Sequence, residues 1–174
     1  MTTPEELKKY VRDVSGYPKP GIVFRDITPL LGRKELFREV VDMMSKGWSD
    51  RGVDLVAAIE ARGFIPGAAI AVKLNAGFVP IRKTGKLPWT IIGEAYQLEY
   101  GADQLEIHAD AVEPGQKVLI VDDVLATGGT AGAAVRLIRK LGGEVVGVQV
   151  LIELKDLGGR ERLPDVEVVS EIVY

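Results

Sequence analysis

Short apolar runs alternate with amphipathic stretches along most of the chain. The apolar runs are rich in β-branched residues and predict buried strands, at positions 55–59, 77–81, 118–121 and 145–153. Apolar residues recur at helical spacing before and between these runs, which predicts helices at about 33–51, 65–74 and 131–141. Because successive strand–helix–strand units favour one crossover hand, the alternation predicts an α/β domain with a central, mainly parallel sheet flanked by helices.

Two segments depart from this alternation. Thr3, Pro4 and Glu6 have the spacing of a helix N-terminus, and that helix is predicted to run to about Val14. Residues 87–111 interrupt the strand–helix rhythm: the stretch around Trp89 is predicted as a mobile excursion, and 95–106 alternates like a β-hairpin.

Composition narrows the class of protein. The 174 residues suffice for one domain, and 47% hydrophobic with 27% charged residues is ordinary for a globular protein. A net charge of −3 argues against non-specific nucleic-acid binding. The lack of cysteine excludes disulfides and thiolate metal sites. No apolar segment resembles a signal peptide or a membrane span, so we expect a soluble, cytoplasmic protein with no membrane partner.

Candidate chemistry is concentrated where the predicted strand 118–121 ends. Asp122 and Asp123 follow it, and the turn Ala126-Thr127-Gly128-Gly129-Thr130 precedes a predicted helix. Glycines allow close backbone approach and a helix N-terminus presents free N–H groups, so this turn is suited to a phosphate. Adjacent carboxylates can accept hydrogen bonds from a ribose diol or help to hold hydrated Mg²⁺. The turn is not a P-loop, because no Gly-Lys-Ser/Thr follows the required spacer.

Two other strand ends carry cations. Arg62 and Gly63 follow the strand at 55–59, and a basic turn follows the strand at 77–81. Cations at these positions could stabilise a polyanionic leaving group. Alone, the basic turn would be interpreted as a solvated surface, and Phe24 as a core residue. His108, the only histidine, has no ligand-spaced partner and is interpreted as a surface or edge residue and not as a catalyst.

Five segments together resemble the type I phosphoribosyltransferases, and among them the enzymes that use adenine. The resemblance covers about 17–163, with the segments in the same order; they are 20–29, 60–64, 81–88, 96–101 and 118–130. It implies a small N-terminal hood in 1–33, an α/β core in 34–174 and a flexible active-site loop at about 85–98. It also implies Mg²⁺-dependent transfer of 5-phosphoribosyl from phosphoribosyl pyrophosphate to N9 of adenine, which gives AMP and pyrophosphate, and a homodimer.

The same resemblance implies a role for each matching residue. The adenine site would consist of Val23, Phe24, Arg25, Arg62 and Val124. The ribose 5-phosphate site would consist of Asp122, Asp123, Ala126, Thr127, Gly128, Gly129 and Thr130. The pyrophosphate site would consist of Glu60, Ala61, Arg62, Arg82, Lys83 and Lys86. Glu99 and Arg82 would be catalytic, with Glu99 exchanging a proton near adenine N7. Mg²⁺ would be held mainly by substrate and water, with Asp122 and Asp123 as candidate ligands.

Two rival functions remain open from the sequence. An enzyme of the same fold could use hypoxanthine, guanine or xanthine, although the Phe24-Arg25-Asp26 segment favours adenine. A regulator could bind phosphoribosyl pyrophosphate without catalysis, but it would be expected to carry a DNA-binding module or a basic face. The net negative charge and the retention of Arg82, Lys86 and Glu99 argue against the regulator.

Overall fold

A seven-stranded mixed sheet lies at the centre of the computed structural model, which describes residues 3–98 and 101–174. Its strand order is β5-β6-β4-β3-β7-β8-β9, and the pairs from β4 to β9 are parallel. The strands are β3 (Leu55–Ile59), β4 (Gly77–Lys83), β5 (Ile91–Leu98), β6 (Gly101–His108), β7 (Lys117–Leu125), β8 (Glu144–Glu153) and β9 (Val168–Val173). The α/β fold class with a mainly parallel sheet is confirmed.

Helices cover both faces of this sheet. They are α1 (Pro4–Lys8), α2 (Thr28–Leu31), α3 (Lys34–Lys46), α4 (Phe64–Leu74) and α5 (Gly129–Lys140). Helix α5 packs on one face, against side chains such as Ile59 and Ile120, and α3 and α4 pack on the other, against side chains such as Leu119 and Val121. Alternate residues of β7 therefore enter two separate apolar layers, which explains why its sequence is apolar without interruption. No helix within the described ranges has the length and apolar character needed to cross a bilayer.

The N-terminal segment forms a two-stranded antiparallel hairpin beside α1. Strands β1 (Arg12–Ser15) and β2 (Val23–Asp26) pair so that Val14 lies opposite Phe24. The predicted continuation of the first helix to Val14 is therefore wrong. The helix ends at Lys8, because residues 12–15 pair with β2, the next strand along the chain, and this pairing determines their conformation.

The hairpin of β5 and β6 extends the sheet beyond β4. The alternation at 95–106 correctly predicted it, but the first strand begins earlier, at Ile91, and pairs with β6 through Leu98. The segment 85–98 thus contains a turn followed by a strand, and its mobility stays a prediction. Two 3-10 turns, Lys155–Leu157 and Gly159–Arg162, connect β8 to β9, a strand that the sequence patterns did not predict.

Candidate active site

One cavity of about 680 Å³ opens at the carboxyl ends of β3, β4 and β7. Parallel strands deliver their following loops to the same edge of a sheet, which brings together residues far apart in sequence. The predicted site residues that line it are Phe24, Glu60, Ala61, Arg62, Lys83, Lys86, Asp122, Asp123 and Thr130. Val124 and residues 126–130 line a smaller adjoining cavity of about 60 Å³.

The turn between β7 and α5 leaves no room for a side chain at Gly128. Gly128 has φ of 78°, and a Cβ there would lie 2.3 Å from the Gly159 carbonyl oxygen. Helix α5 begins at Gly129, so the first N–H groups of the helix face this turn without helical partners. With the hydroxyls of Thr127 and Thr130 nearby, this geometry is suited to a phosphate dianion.

The two adjacent carboxylates differ in environment. Asp122 Oδ1 accepts a hydrogen bond from the Asp123 backbone N–H at 2.8 Å. Burial raises the pKa of Asp122 well above its usual range, and the charge of Asp123 raises it further. A Cβ on Gly63 would lie 2.9 Å from Asp122 Oδ1. The φ of Gly63 is −61°, a conformation open to any residue, so the close approach of Asp122 and not backbone freedom requires the glycine. Both carboxylates remain within β7, which continues past the predicted end at 121.

Arg62 connects the N-terminal hairpin to the core. Its Nε lies 2.6 Å from Asp123 Oδ2, and its Nη1 donates to the Arg25 carbonyl oxygen at 3.1 Å. Its guanidinium carbon lies 4.3 Å from the centre of the Phe24 ring. One side chain therefore joins the predicted base-binding hairpin to the predicted ribose-binding acids. Val23, on the same strand as Phe24, is 41% exposed.

Glu60 gathers the cations predicted for pyrophosphate. Lys86 Nζ lies 2.5 Å from its carboxylate, Arg82 Nε and Nη2 each lie 3.3 Å away, and the Lys83 backbone N–H donates at 3.1 Å. Burial raises the pKa of Glu60, but these hydrogen bonds outweigh it and lower the pKa to about 2. The Glu60–Ala61 peptide bond is cis.

Five cavity-lining residues were not predicted as site residues: the apolar Ile59 and Leu105, and the polar Tyr17, Tyr96 and Asp103. The Tyr96 hydroxyl lies 3.0 Å from Asp103 Oδ2, and Lys83 Nζ lies 3.3 Å from the same oxygen. Burial, together with the hydrogen bond to Asp103, raises the pKa of Tyr96 to about 12. The pairing of Tyr96 with Asp103 across the hairpin depends on strand register, for which the sequence held only a weak signal in its alternation.

Glu99, predicted as the acid–base residue, lies outside the described residues. His108 lies on β6, opposite Ile91, and is not among the residues that line the cavity.

Comparison with known proteins supports one family throughout. The model of the phosphoribosyl transferase domain matches residues 30–173. An adenine phosphoribosyltransferase from Thermotoga maritima is 60% identical over 97% of this chain and 98% of its own length. The crystal structure of adenine phosphoribosyltransferase from Rhodothermus marinus is 51% identical, covers 98% of both chains and superposes with a TM-score of 0.95.

A more distant structure has bound ligands. Adenine phosphoribosyltransferase from Saccharomyces cerevisiae, complexed with an imino-altritol bisphosphate and adenine, is 35% identical with a TM-score of 0.91 and covers 97% of this chain and 98% of its own. Identity well above 30% over nearly the whole length establishes common descent with these enzymes. The chain belongs to the phosphoribosyltransferase family and, within it, to the adenine phosphoribosyltransferases.

Proposed function

We propose that this chain transfers the 5-phosphoribosyl group from phosphoribosyl pyrophosphate to N9 of adenine and so makes AMP for purine salvage. One observation carries the proposal: four kinds of group come together at one edge of the sheet. They are a turn suited to a phosphate, two carboxylates, a group of cations and an aromatic ring. In the reaction, adenine N9 forms the bond to C1 of the ribose while the bond from C1 to the pyrophosphate oxygen breaks. The carbon passes through an oxocarbenium-like state.

The ribose 5-phosphate would bind at the end of β7. The backbone N–H groups of Gly129 and Thr130 would hold the phosphate, and Asp122 and Asp123 would accept hydrogen bonds from the ribose hydroxyls. Asp123 is already paired with Arg62 at 2.6 Å, so the orientation of this carboxylate is fixed before substrate binds. Such preorganisation favours a dissociating C1–oxygen bond because the sugar is held while charge develops.

The pyrophosphate would bind between the ends of β3 and β4. Lys83, Lys86 and Arg82 supply the positive charge, and in the absence of substrate Glu60 neutralises part of it. A polyanionic leaving group would compete with Glu60 for these cations. Charge that grows on the leaving oxygens would then be stabilised by side chains that are already gathered.

The base would bind against the N-terminal hairpin. Phe24 and Val124 would lie on either side of the adenine ring. The backbone of Val23 and the side chain of Arg25 would contact its edge. Glu99 would exchange a proton with the adenine ring, and closure of the 85–98 segment would exclude water that could otherwise capture the sugar.

Magnesium fits this site through the substrate. Within the described ranges, no group of three or more carboxylate or histidine side chains could hold a metal ion. The carboxylates of Asp122 and Asp123 are hard oxygen donors, but Arg62 occupies one of them. We therefore assign Mg²⁺ mainly to the pyrophosphate and water, where it would neutralise charge on the leaving group. A cytoplasmic location and the lack of a nucleic-acid partner stay predictions.

A base-panel assay tests the function. Purified protein, phosphoribosyl pyrophosphate and Mg²⁺ are incubated with adenine, hypoxanthine, guanine or xanthine, and nucleotide formation is followed. We expect AMP from adenine and no nucleotide from the oxopurines. Glu99→Ala should lower kcat about 10²-fold or more, the size expected for loss of a general acid or base.

Other outcomes separate the rivals. Nucleotide from an oxopurine alone would contradict the assigned base site while leaving the phosphate site in place. Binding of phosphoribosyl pyrophosphate without turnover of any base would favour the regulator. A normal rate in Glu99→Ala would remove Glu99 from the mechanism.

A further inference from the structure

The Arg25 guanidinium is held by two residues that the base site does not include. Its carbon lies 3.8 Å from the centre of the Tyr174 ring, and its Nη1 forms an ion pair with Asp13. The side chain is only 19% exposed. Its Nε is buried and has no hydrogen-bond partner within the part of the chain that the structure describes. The Nε–H is therefore a donor without an acceptor in the described ranges, and Arg25 itself is not among the residues that line the cavity beside Phe24.

Tyr174 is itself anchored to the core sheet. Its backbone N–H donates to the Glu153 carbonyl oxygen at 2.9 Å, and its carbonyl oxygen accepts from the Lys155 N–H at 2.9 Å. Lys8 Nζ lies 3.9 Å from the same ring centre and donates to the Val173 carbonyl oxygen at 2.8 Å. The ring is thus fixed relative to β8 and β9, and it contacts cations of the N-terminal segment.

We infer that Tyr174 is a positioning residue for base recognition, which acts by fixing the Arg25 guanidinium through its aromatic ring. The inference rests on the proposed function, because it assigns Arg25 to the adenine edge. An arginine has many rotamers, and their loss on binding weakens affinity. The stacked ring and Asp13 remove that freedom in advance.

The Nε–H of Arg25, which lacks an acceptor among the described residues, is the group proposed to bind the base. A buried donor without an acceptor is unfavourable, and it becomes favourable when a ligand supplies the acceptor. Purine ring nitrogens are such acceptors. Tyr174, at the end of the sheet, therefore influences affinity for the base. The ribose and pyrophosphate groups are bound by other residues.

Steady-state kinetics on four variants test this role. Tyr174→Leu keeps apolar bulk but removes the aromatic face, and Tyr174→Phe keeps the face. We expect Tyr174→Leu to raise KM for adenine about 5- to 30-fold, the range expected for loss of a desolvated cation–π contact. The kcat and the KM for phosphoribosyl pyrophosphate should stay within about twofold of the parent, because binding of the base is weakened equally in the ground state and in the transition state. Tyr174→Phe should restore the KM for adenine.

Two matched controls separate positioning from general structure. Tyr10→Leu removes a similar pair, in which the Arg33 guanidinium carbon lies 4.9 Å from the Tyr10 ring centre. Lys8→Met removes the other cation on the Tyr174 ring. Both controls should leave the KM for adenine unchanged. Thermal unfolding of every variant is followed in parallel.

The outcomes distinguish this inference from the proposed function. If the parent forms no AMP, the proposed function fails and the inference fails with it. If the parent forms AMP and Tyr174→Leu keeps the parental KM for adenine, only the inference is overturned. An equal rise in Lys8→Met, or equal rises in the KM for both substrates, would also overturn it, because either result indicates general anchoring of the N-terminal segment.

Discussion

At the scale of single residues, the site is organised by ion pairs that cross between chain segments. The sequence correctly suggested that Arg62 follows β3 and that acids follow the apolar run of β7, but Arg82 and Lys83 lie in the last part of β4 and not in a turn after it. It could not show that Glu60 would hold Lys86 and Arg82, or that Asp123 would hold Arg62. These pairs depend on which strand ends become neighbours, and no local pattern contains that information.

The low pKa of Glu60 leads to a prediction about stability. Its pKa is about 2 in the folded protein, below the ordinary value of 4.5, so the folded state favours the ionised form. The stabilisation is fully present above about pH 4.5 and is lost as the pH falls towards 2. Glu60→Gln has no carboxylate to protonate. As the pH falls from about 4.5 to about 2, the unfolding free energy of this variant should therefore fall by roughly 1–3 kcal/mol less than that of the parent.

Urea unfolding at a series of pH values measures this difference. Glu35→Gln provides the control, since Glu35 lies on α3 with its side chain 69% exposed, and this variant should follow the parent. Parallel curves for Glu60→Gln and the parent would show that Glu60 is not paired with these cations in solution.

At the scale of elements, the strands and helices of the core were predictable and the N-terminal hairpin was not. Strands β3, β4, β7 and β8 have apolar runs because both faces of the sheet are covered, and a two-sided core leaves a strong local signal. Val14 lies instead in a short exposed hairpin. Its pairing with Phe24 determines its conformation, despite the helix-capping signal earlier in the segment. Strand β9 at the sheet edge mixes polar with apolar residues, so it lacked the continuous run of the central strands.

The loop between β7 and α5 provides the prediction at this scale. Gly128→Ala would place a methyl group 2.3 Å from the Gly159 carbonyl oxygen in a backbone conformation with φ of 78°. We expect the loop to shift, which should raise KM for phosphoribosyl pyrophosphate about 10-fold or more and lower the unfolding free energy by roughly 1–3 kcal/mol.

Gly115→Ala is the matched control for this variant. Gly115 also has a positive φ, of 86°, but a Cβ there would meet nothing within 4 Å. Because its backbone conformation is also unfavourable for alanine, Gly115→Ala should lower the unfolding free energy by a similar amount. Its KM for phosphoribosyl pyrophosphate should stay at the parental value. If Gly128→Ala also kept the parental KM, the close contact with Gly159 would not be needed to shape the phosphate site.

At the scale of the whole molecule, α4 is the element that a single chain does not explain. Apart from Lys73 in its last turn, its sequence is apolar, a pattern expected of a helix that is covered on most sides. Pro66, Gly67, Ile70 and Ala71 are buried on the sheet. Ile65 and Val72, seven residues apart and so on one helix face, are 45% and 83% exposed. Phe78, packed edge-on against Phe64 beside this helix, is 39% exposed.

We propose that this surface, formed by Ile65, Val72 and Phe78, is the contact between two copies of the chain. Large apolar side chains left exposed on one helix face favour an interface, and a homodimer is what the family resemblance implied. A symmetric contact would repeat the patch on both copies, so one substitution would enter the interface twice. A charge placed at its most exposed member should therefore separate the copies without unfolding them.

Val72→Lys tests the dimer by size. The chain has a mass of 18.9 kDa, so the parent should elute from a sizing column with light-scattering detection at about twice that mass. Val72→Lys should elute as a monomer, because two buried ammonium groups would face each other across the interface without partners. Leu157→Lys, at an apolar residue 47% exposed outside this surface, should remain dimeric. A monomeric parent would rule out the dimer, whereas a dimeric Val72→Lys would place the contact on another face of the molecule.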